Sequence, residues 1–142
     1  MSFNLFKTVG RFSPGEKKIK NIINSTLKAL RKQDHELSLH LVGDKRMLSL
    51  NKKFLGINKT TDVLAFAAQE GATTPNRDLG DIFVSIPQIK RQARSAAISY
   101  KEEFARILVH GLLHLLGFDH YTKRQEKEMF GLQERLVKKL KN

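Results

Sequence analysis

The first part of the chain alternates between helical and strand-like spacing of its apolar residues. From Pro14 to Lys32 these residues recur at i, i+3 and i+4, which predicts an amphipathic helix. Between Leu37 and Leu41 apolar and polar residues alternate, which indicates a strand that is buried on one face. Asp44 is a suitable N-cap for a short helix after this strand, and Asp62–Phe66 and Ile82–Ile86 are apolar runs of strand length.

Three further helices are predicted in the remainder of the chain. The first runs from about Pro87 to Ala97. Ser99 with Glu102, and Thr122 with Gln125, form capping-box patterns ahead of two more periodic apolar stretches. The predicted strands are too short and too few for a doubly wound sheet. The pattern therefore favours an α+β domain in which helices cover a small mixed sheet.

Length and composition bound the class of protein. The 142 residues, 40% of them hydrophobic, suffice for one compact core, so residues 1–142 are predicted to form a single domain. The polar segment Gln69–Asp78 is predicted to be a loop. No apolar run of about 18 residues and no signal-peptide pattern occurs, which predicts a soluble, cytoplasmic protein with no membrane partner. Because the chain has no cysteine, a metal site must use His, Asp or Glu.

An excess of positive charge indicates a polyanionic partner. The chain has 26 Lys and Arg against 14 Asp and Glu, a formal net charge of +12. Such charge favours nucleic acid, because binding of phosphates releases counterions, although a solvated basic surface is the alternative interpretation. The candidate phosphate-binding residues are Lys45, Arg46, Lys52, Lys53, Lys59, Lys90, Arg91 and Arg94.

The strongest chemical signal is a group of three histidines, His110, His114 and His120. The first two are four residues apart on a predicted helix, so their Cβ atoms lie on one face about 5–6 Å apart. Gly117 is able to adopt a positive φ and end the helix, so that His120 approaches the same ion. A lone histidine on an apolar helix is commonly a hydrogen-bonded core residue. Three at this spacing instead predict one catalytic Zn²⁺ per chain, with a fourth position open to water.

The histidine spacing is also that of metzincin proteases, in which the residue after the first histidine is a glutamate that acts as base. Gly111 occupies that position here, which disfavours peptide hydrolysis by the same route. A metalloprotease-like hydrolase is kept as an alternative. His114 and Asp119 are the candidate catalytic residues. Asp119 has three open interpretations: it orients a ligand imidazole, acts as a base, or caps the following helix.

The segment HGLLHLLGFDH, from His110 to His120, resembles the HGxLHLxGxDH signature of the YbeY family of bacterial endoribonucleases. The blocks Asn51–Phe66 and Leu79–Ser85 are similar to two further blocks of that family, in the same order. The resemblance covers about Leu37 to the C-terminus and implies a zincin-like fold with the metal site at the end of a central helix. It also implies cleavage of single-stranded RNA in the maturation of small-subunit ribosomal RNA and in ribosome quality control.

Ribosomal RNA and the small ribosomal subunit are the partners that the resemblance implies, and a non-catalytic, zinc-containing ribosome-binding protein is a further alternative. The chain departs from the family pattern at Leu55, where an arginine is usual, and at Ala65 and Ala67. A cation expected near the scissile phosphate is therefore missing. Lys53 and Lys59 are the candidates to replace it.

Five polar residues outside the histidine motif are interpreted as structural. Thr61 and Asp62 precede a predicted strand, and Asp81 follows a glycine, so all three are interpreted as turn residues. His35 lies on a predicted loop and His40 on the polar face of a predicted strand. Neither is expected to bind metal.

Overall fold

Five helices surround a four-stranded sheet in the computed structural model, which describes residues 3–8, 12–68 and 77–141. The elements follow one another as β1 (Phe3–Lys7), α1 (Glu16–Ala29), β2 (Glu36–Val42), α2 (Asp44–Leu55), β3 (Val63–Ala67), β4 (Asp78–Ser85), α3 (Ile86–Ala96), α4 (Tyr100–Leu115) and α5 (Lys123–Leu140). None of the helices in the described ranges is long and apolar enough to cross a membrane.

The sheet is mixed, with the strand order β1-β2-β4-β3. β1 and β4 both pair with β2 in parallel, whereas β3 pairs with β4 in the antiparallel direction at the sheet edge. The predicted α+β class with a small mixed sheet is thereby confirmed. The sequence analysis missed β1, because only Phe3 and Leu5 of this five-residue strand pack against the core and the adjacent Phe6 breaks the alternation.

The main core lies between one face of the sheet and helices α1, α4 and α5. α1 buries Ile19, Ile22, Ile23 and Leu27 completely, which confirms the predicted amphipathic helix with somewhat shorter bounds. Because successive strand residues point to opposite faces, β3 and β4 also supply a second, smaller cluster on the other face. This cluster consists of Val42, Met47, Leu50 and Leu64, with Phe66 and Phe83 packed against it.

The sequence predicted Asp44 as the N-cap of α2, but the N-cap is Gly43. The Asp44 carboxylate instead accepts two hydrogen bonds of 2.8 Å from the Arg91 guanidinium and one of 3.1 Å from the Ser85 hydroxyl. These bonds hold the pKa of Asp44 below its usual value, with the Arg91 hydrogen bond as the main cause. The carboxylate thus joins α2 to α3, a tertiary role that a local pattern does not reveal.

Two strand boundaries also differ from the predictions. β4 begins at Asp78, inside the predicted loop, and Ile86 opens α3 rather than closing the strand. Residues 69–76 of that loop lie outside the described residues. Asp81 is not a turn residue: it lies within β4, and its carboxylate accepts a hydrogen bond of 2.9 Å from His40 Nε2.

The two predicted capping boxes have different outcomes. At α5 the box is complete, because the Thr122 hydroxyl accepts from Gln125 N and the Gln125 side chain accepts from Thr122 N, both at 3.1 Å. At α4 the Ser99 hydroxyl caps the helix, but the Glu102 carboxylate does not return to it. That carboxylate pairs instead with Arg106 and Lys141.

Gly111 allows α4 to lie close against the sheet. A Cβ atom at this position would be 3.1 Å from Ile82 Cγ2 and 3.2 Å from Val63 Cγ2. These two side chains fill the space beside Gly111. The glutamate that acts as base in metzincin proteases would therefore not fit at this position. The packing of α4 against the sheet therefore favours glycine at this position.

Gly111→Ala is expected to lower the free energy of unfolding, because overpacking a core costs about 1–3 kcal/mol and exceeds the gain in helix propensity of up to about 1 kcal/mol. Gly131→Ala is the matched control, since its added Cβ would meet only Arg135 Nη1 at 3.5 Å. That variant should be more stable than the parent. Equal stabilisation by both substitutions in urea unfolding would contradict the close packing of α4.

Candidate metal centre

The structure brings the three predicted metal ligands together at the C-terminal end of α4. Their ligating nitrogen atoms all lie within 4.8 Å of one another. Nε2 of His110 and Nε2 of His114 are 3.1 Å apart. Two nitrogen ligands of a tetrahedral Zn²⁺, each at about 2.0–2.1 Å, would be roughly 3.3 Å apart. The arrangement of these two rings therefore fits a shared ion.

The turn that brings His120 to the other two histidines forms as the sequence predicted. Gly117 has φ +94°, a conformation that favours glycine. Its N–H donates to His114 O at 3.1 Å, and Phe118 N–H donates to Leu113 O at 3.0 Å, which is the hydrogen-bond pattern of a Schellman motif. The His120 ring centroid consequently lies 5.1 Å from that of His114.

A hydrogen bond to Gln133 fixes the orientation of His110. The Gln133 amide nitrogen donates to Glu134 Oε2 at 3.2 Å, so the amide oxygen faces the His110 ring. His110 Nδ1 then carries the proton and donates to that oxygen at 2.7 Å. The lone pair of Nε2 is left directed toward the cluster, which is the state that a metal ligand requires.

Sequence analysis missed Gln133, whose side chain contacts the candidate metal centre. It is buried on the face of α5 that also buries Met129, Leu136 and Val137. A polar side chain in the middle of an apolar helical stripe is a signal that could have drawn attention to it, because buried polar groups need partners. The partner lies 23 residues away on another helix, however, and the pattern does not identify it.

Ion pairs hold Gln133 and its helix in place. The Arg106 guanidinium of α4 donates to both oxygens of Glu134 at 2.9 Å. It also contacts Glu102 and Glu103 one turn back on α4. The Arg106 hydrogen bond is the main cause of a lowered pKa at Glu134. The hydrogen bond to Glu134 is likewise the main cause of a raised pKa at Arg106, so both groups of this link between α4 and α5 stay ionised at neutral pH.

The electrostatics of the cluster favour the neutral form of His114. Burial lowers the pKa of His114, and the neighbouring rings of His110 and His120 lower it further. Metal ligation requires an unprotonated nitrogen. The cluster offers nitrogen donors in place of the oxygen-rich cage that Ca²⁺ or Mg²⁺ prefers, and it is therefore suited to a borderline transition metal.

Space beside the histidines lies between α4 and α5. A cavity of about 280 Å³ is lined by His110, His120, Glu126, Met129, Phe130 and Gln133. His120 is exposed, whereas His110 and His114 are half-buried. The centre thus opens to solvent on the His120 side, as a site that admits a substrate must.

Asp119 lies beside the cluster, and its charge favours the protonated form of His114. The carboxylate is exposed and has no hydrogen-bond partner among the residues that the structure describes. It does not cap α5, because Thr122 is the N-cap of that helix. Of the three interpretations of Asp119, the cap is thereby wrong.

His35 and His40 lie outside the histidine cluster. His35 Nδ1 is 2.9 Å from an oxygen of the neighbouring Asp34. His40 is stacked between Phe6 and Phe83, with ring centroids at 4.8 and 4.1 Å, respectively. Both histidines therefore have structural partners among the described residues.

The cations predicted to contact RNA are exposed on three segments. Arg46, Lys52 and Lys53 lie on α2, Lys59 on the connection to β3, and Arg91 and Arg94 on α3. Arg91 is committed to the Asp44 carboxylate, which leaves its charge largely neutralised. Leu55, where the family usually has an arginine, is 56% exposed at the end of α2. Contacts between these residues and RNA stay a prediction.

Comparison with known proteins gives a consistent result. A model of the endoribonuclease YbeY family matches residues 10–141. An endoribonuclease YbeY of Sulfurihydrogenibium sp. is 40% identical over 126 residues, which cover 88% of this chain and 83% of that protein. Another, of Halalkalibacterium halodurans, is 42% identical over 113 residues, 72% of this chain and 70% of that protein.

The fold is also similar to a solved one. The solution structure of TM1509 from Thermotoga maritima matches with a TM-score of 0.67 at 24% identity, covering 98% of this chain and 89% of that one.

An α+β fold with a small mixed sheet and a three-histidine cluster that could hold a metal ion at the end of α4 fits a metal-dependent hydrolase. Within that class, sequence matches over most of the chain identify the family. The chain belongs to the endoribonuclease YbeY family.

Proposed function

We propose that this protein is a zinc-dependent endoribonuclease that cleaves single-stranded RNA and acts on ribosomal RNA of the small subunit. The observation that carries the proposal is the convergence of three imidazoles, two of them with Nε2 atoms 3.1 Å apart and one with its tautomer fixed by Gln133. Family membership supports RNA as the substrate class.

The residues of the chain have separable tasks in this proposal. His110, His114 and His120 would hold Zn²⁺, which when bound supplies a Lewis acid for a phosphoryl oxygen and lowers the pKa of a bound water to about 7. Gln133 keeps His110 in the ligating tautomer. The open side at His120 admits the phosphodiester, and Asp119 adds a negative charge beside His114.

A substrate panel tests the proposed activity. The purified protein is treated with a chelator, reloaded with measured amounts of Zn²⁺, and incubated with single-stranded RNA and with casein. RNA cleavage should return in proportion to zinc up to one equivalent, and casein should stay intact. Casein cleavage would favour the metalloprotease alternative, whereas bound zinc without cleavage of RNA would favour the non-catalytic one.

The ribosomal partner rests on charge and family together. With a net charge of +12, the protein is expected to co-sediment with isolated small ribosomal subunits at low salt. Association with large subunits of equal or greater extent at the same salt concentration would contradict a partner specific to the small subunit.

RNA binding is expected to weaken steeply with salt, because bound phosphates release counterions. Between about 50 and 200 mM salt, the logarithm of the association constant should fall linearly with the logarithm of the salt concentration, with a slope of several units. Lys52→Glu should reduce this slope. Lys20→Glu makes the same charge change on α1, outside the predicted RNA contacts, and serves as the control. A flat dependence, measured by fluorescence anisotropy, would remove phosphate contacts from the proposal.

A further inference from the structure

A groove lies between α2 and the face of the sheet opposite α4. Its volume is about 440 Å³, within the range of about 300–1,000 Å³ that is usual for ligand sites. Phe54, Phe66 and Phe83 supply its aromatic walls, while Arg46 and Lys53 supply cations. Asp81, which is bonded to His40, also lines the groove, so the lining is aromatic and carries two cations against one carboxylate.

The aromatic walls belong to a longer row of rings across the sheet. Phe66 lies 5.1 Å from Phe54 and 5.9 Å from Phe83, measured between centroids. From Phe83 the row continues through His40 to Phe6. The two ends are open, since Phe54 is 54% and Phe6 is 52% exposed. Exposed aromatic rings at both ends make this row a candidate surface for binding another molecule.

The charge of α2 identifies the kind of molecule. This helix carries Lys45, Arg46, Lys52 and Lys53, and its one acidic residue, Asp44, is paired with Arg91. Within the described part of the chain, neither Arg46 nor Lys53 forms an ion pair. Protein interfaces are typically depleted of lysine, whereas single-stranded nucleic acids bind where cations track the backbone and aromatic rings stack on bases.

We propose that this groove binds an unpaired nucleotide of single-stranded RNA, with its base against the phenylalanines and its phosphate against Arg46 and Lys53. The inference rests on the proposed RNA substrate and adds a second contact to it. Phe54 provides the most accessible ring, and the Lys53 ammonium lies 5.3 Å from the centre of that ring. The ring that would stack on the base and the cation that would bind its phosphate are therefore adjacent.

The groove and the metal centre lie on opposite sides of the sheet. Gly111 of α4 contacts Val63 and Ile82 on one face, whereas Phe66 and Phe83 belong to the other by strand alternation. An RNA segment that reaches both sites must pass around an edge of the sheet, and the edge strand β3 contributes Phe66 to the groove and packs against α4. The groove is consequently expected to contribute to RNA affinity and to leave the chemical step unchanged.

The chain contains no tryptophan, so Phe54→Trp places a single fluorescent probe in the groove. The probe ligand is a single-stranded oligouridylate, added in the presence of a chelator so that no cleavage occurs. Stacking should quench the tryptophan fluorescence on binding. An oligomer of the same length with abasic sites bears the same phosphates and should bind without quenching.

Phe54→Ala should weaken oligouridylate binding by roughly 5- to 100-fold, the range measured for loss of one stacking ring. Ile57→Ala removes an equally exposed apolar side chain outside the groove and is the matched control; it should bind like the parent. With zinc restored, Phe54→Ala should raise KM and leave kcat unchanged.

The outcomes distinguish this inference from the proposed function. If the parent protein cleaves RNA but Phe54→Trp is not quenched and Phe54→Ala binds normally, the groove inference is wrong and the proposed function stands. Loss of small-subunit association in Phe54→Ala, with unchanged affinity for free RNA, would assign the groove to a protein partner and overturn the inference. If the parent protein cleaves no RNA at any zinc level, the proposed function itself fails.

Discussion

Replacing His114 with alanine is expected to reduce both zinc affinity and RNA cleavage by more than tenfold. His114 lies between the other two ligands: its ring centroid is 4.6 Å from that of His110 and 5.1 Å from that of His120. Its loss leaves two nitrogen donors, one fewer than the three protein ligands that a catalytic Zn²⁺ site uses beside its water.

The measurement is zinc content of the purified protein by elemental analysis, followed by competition with a chromogenic chelator. His35→Ala is the matched control, because it removes an imidazole that lies outside the histidine cluster and is hydrogen-bonded to Asp34. His114→Ala should retain cooperative unfolding, since the side chain is half-buried outside the main core. Zinc content equal to that of the parent in His114→Ala would overturn the assignment of the ligands.

Gln133→Leu is expected to weaken zinc binding about 10- to 100-fold without removing a ligand, the usual effect of losing a group that orients one. The leucine cannot accept the His110 Nδ1 proton. The ring is then free to rotate or to exchange tautomers, and Nε2 no longer has a fixed lone pair. The side chain is only 6% exposed, so water does not readily replace the lost acceptor.

A second variant separates orientation of His110 from a general effect on folding. Gln133→Glu keeps an acceptor at the same distance and adds charge, so its zinc affinity should equal or exceed that of the parent. Thermal unfolding of both metal-free variants shows whether α5 still docks. If Gln133→Leu is as stable as the parent and binds zinc equally well, the hydrogen bond to His110 has no role in ligation.

The histidine cluster was predictable because its geometry is local. A four-residue helical spacing places His110 and His114 on one face, and a glycine that ends a helix determines where His120 goes. The amphipathic helices were predictable for the same reason, since their apolar period is read within one segment. The α+β class followed from the order and length of these elements.

The remaining features depend on contacts between residues distant in sequence. Asp44 is a good helix cap by residue type, but Arg91 and Ser85 lie close enough in space to compete for its carboxylate. Asp81 follows a glycine, yet pairing between β2 and β4 places it beside His40. A local sequence pattern does not show which distant residues lie close in space. For the same reason, the link from Gln133 to His110 was missed.

The ion pairs between Arg106 and Glu134 couple metal affinity to the docking of α5, the C-terminal helix. Whatever holds α5 in place also holds Gln133, and through it His110. By thermodynamic reciprocity, an ion that binds only the docked form shifts the population toward it by mass action. Bound zinc would therefore protect backbone amides of α5 from hydrogen exchange, although that helix donates no ligand. When the ion is scarce, α5 would undock before the rest of the fold opens.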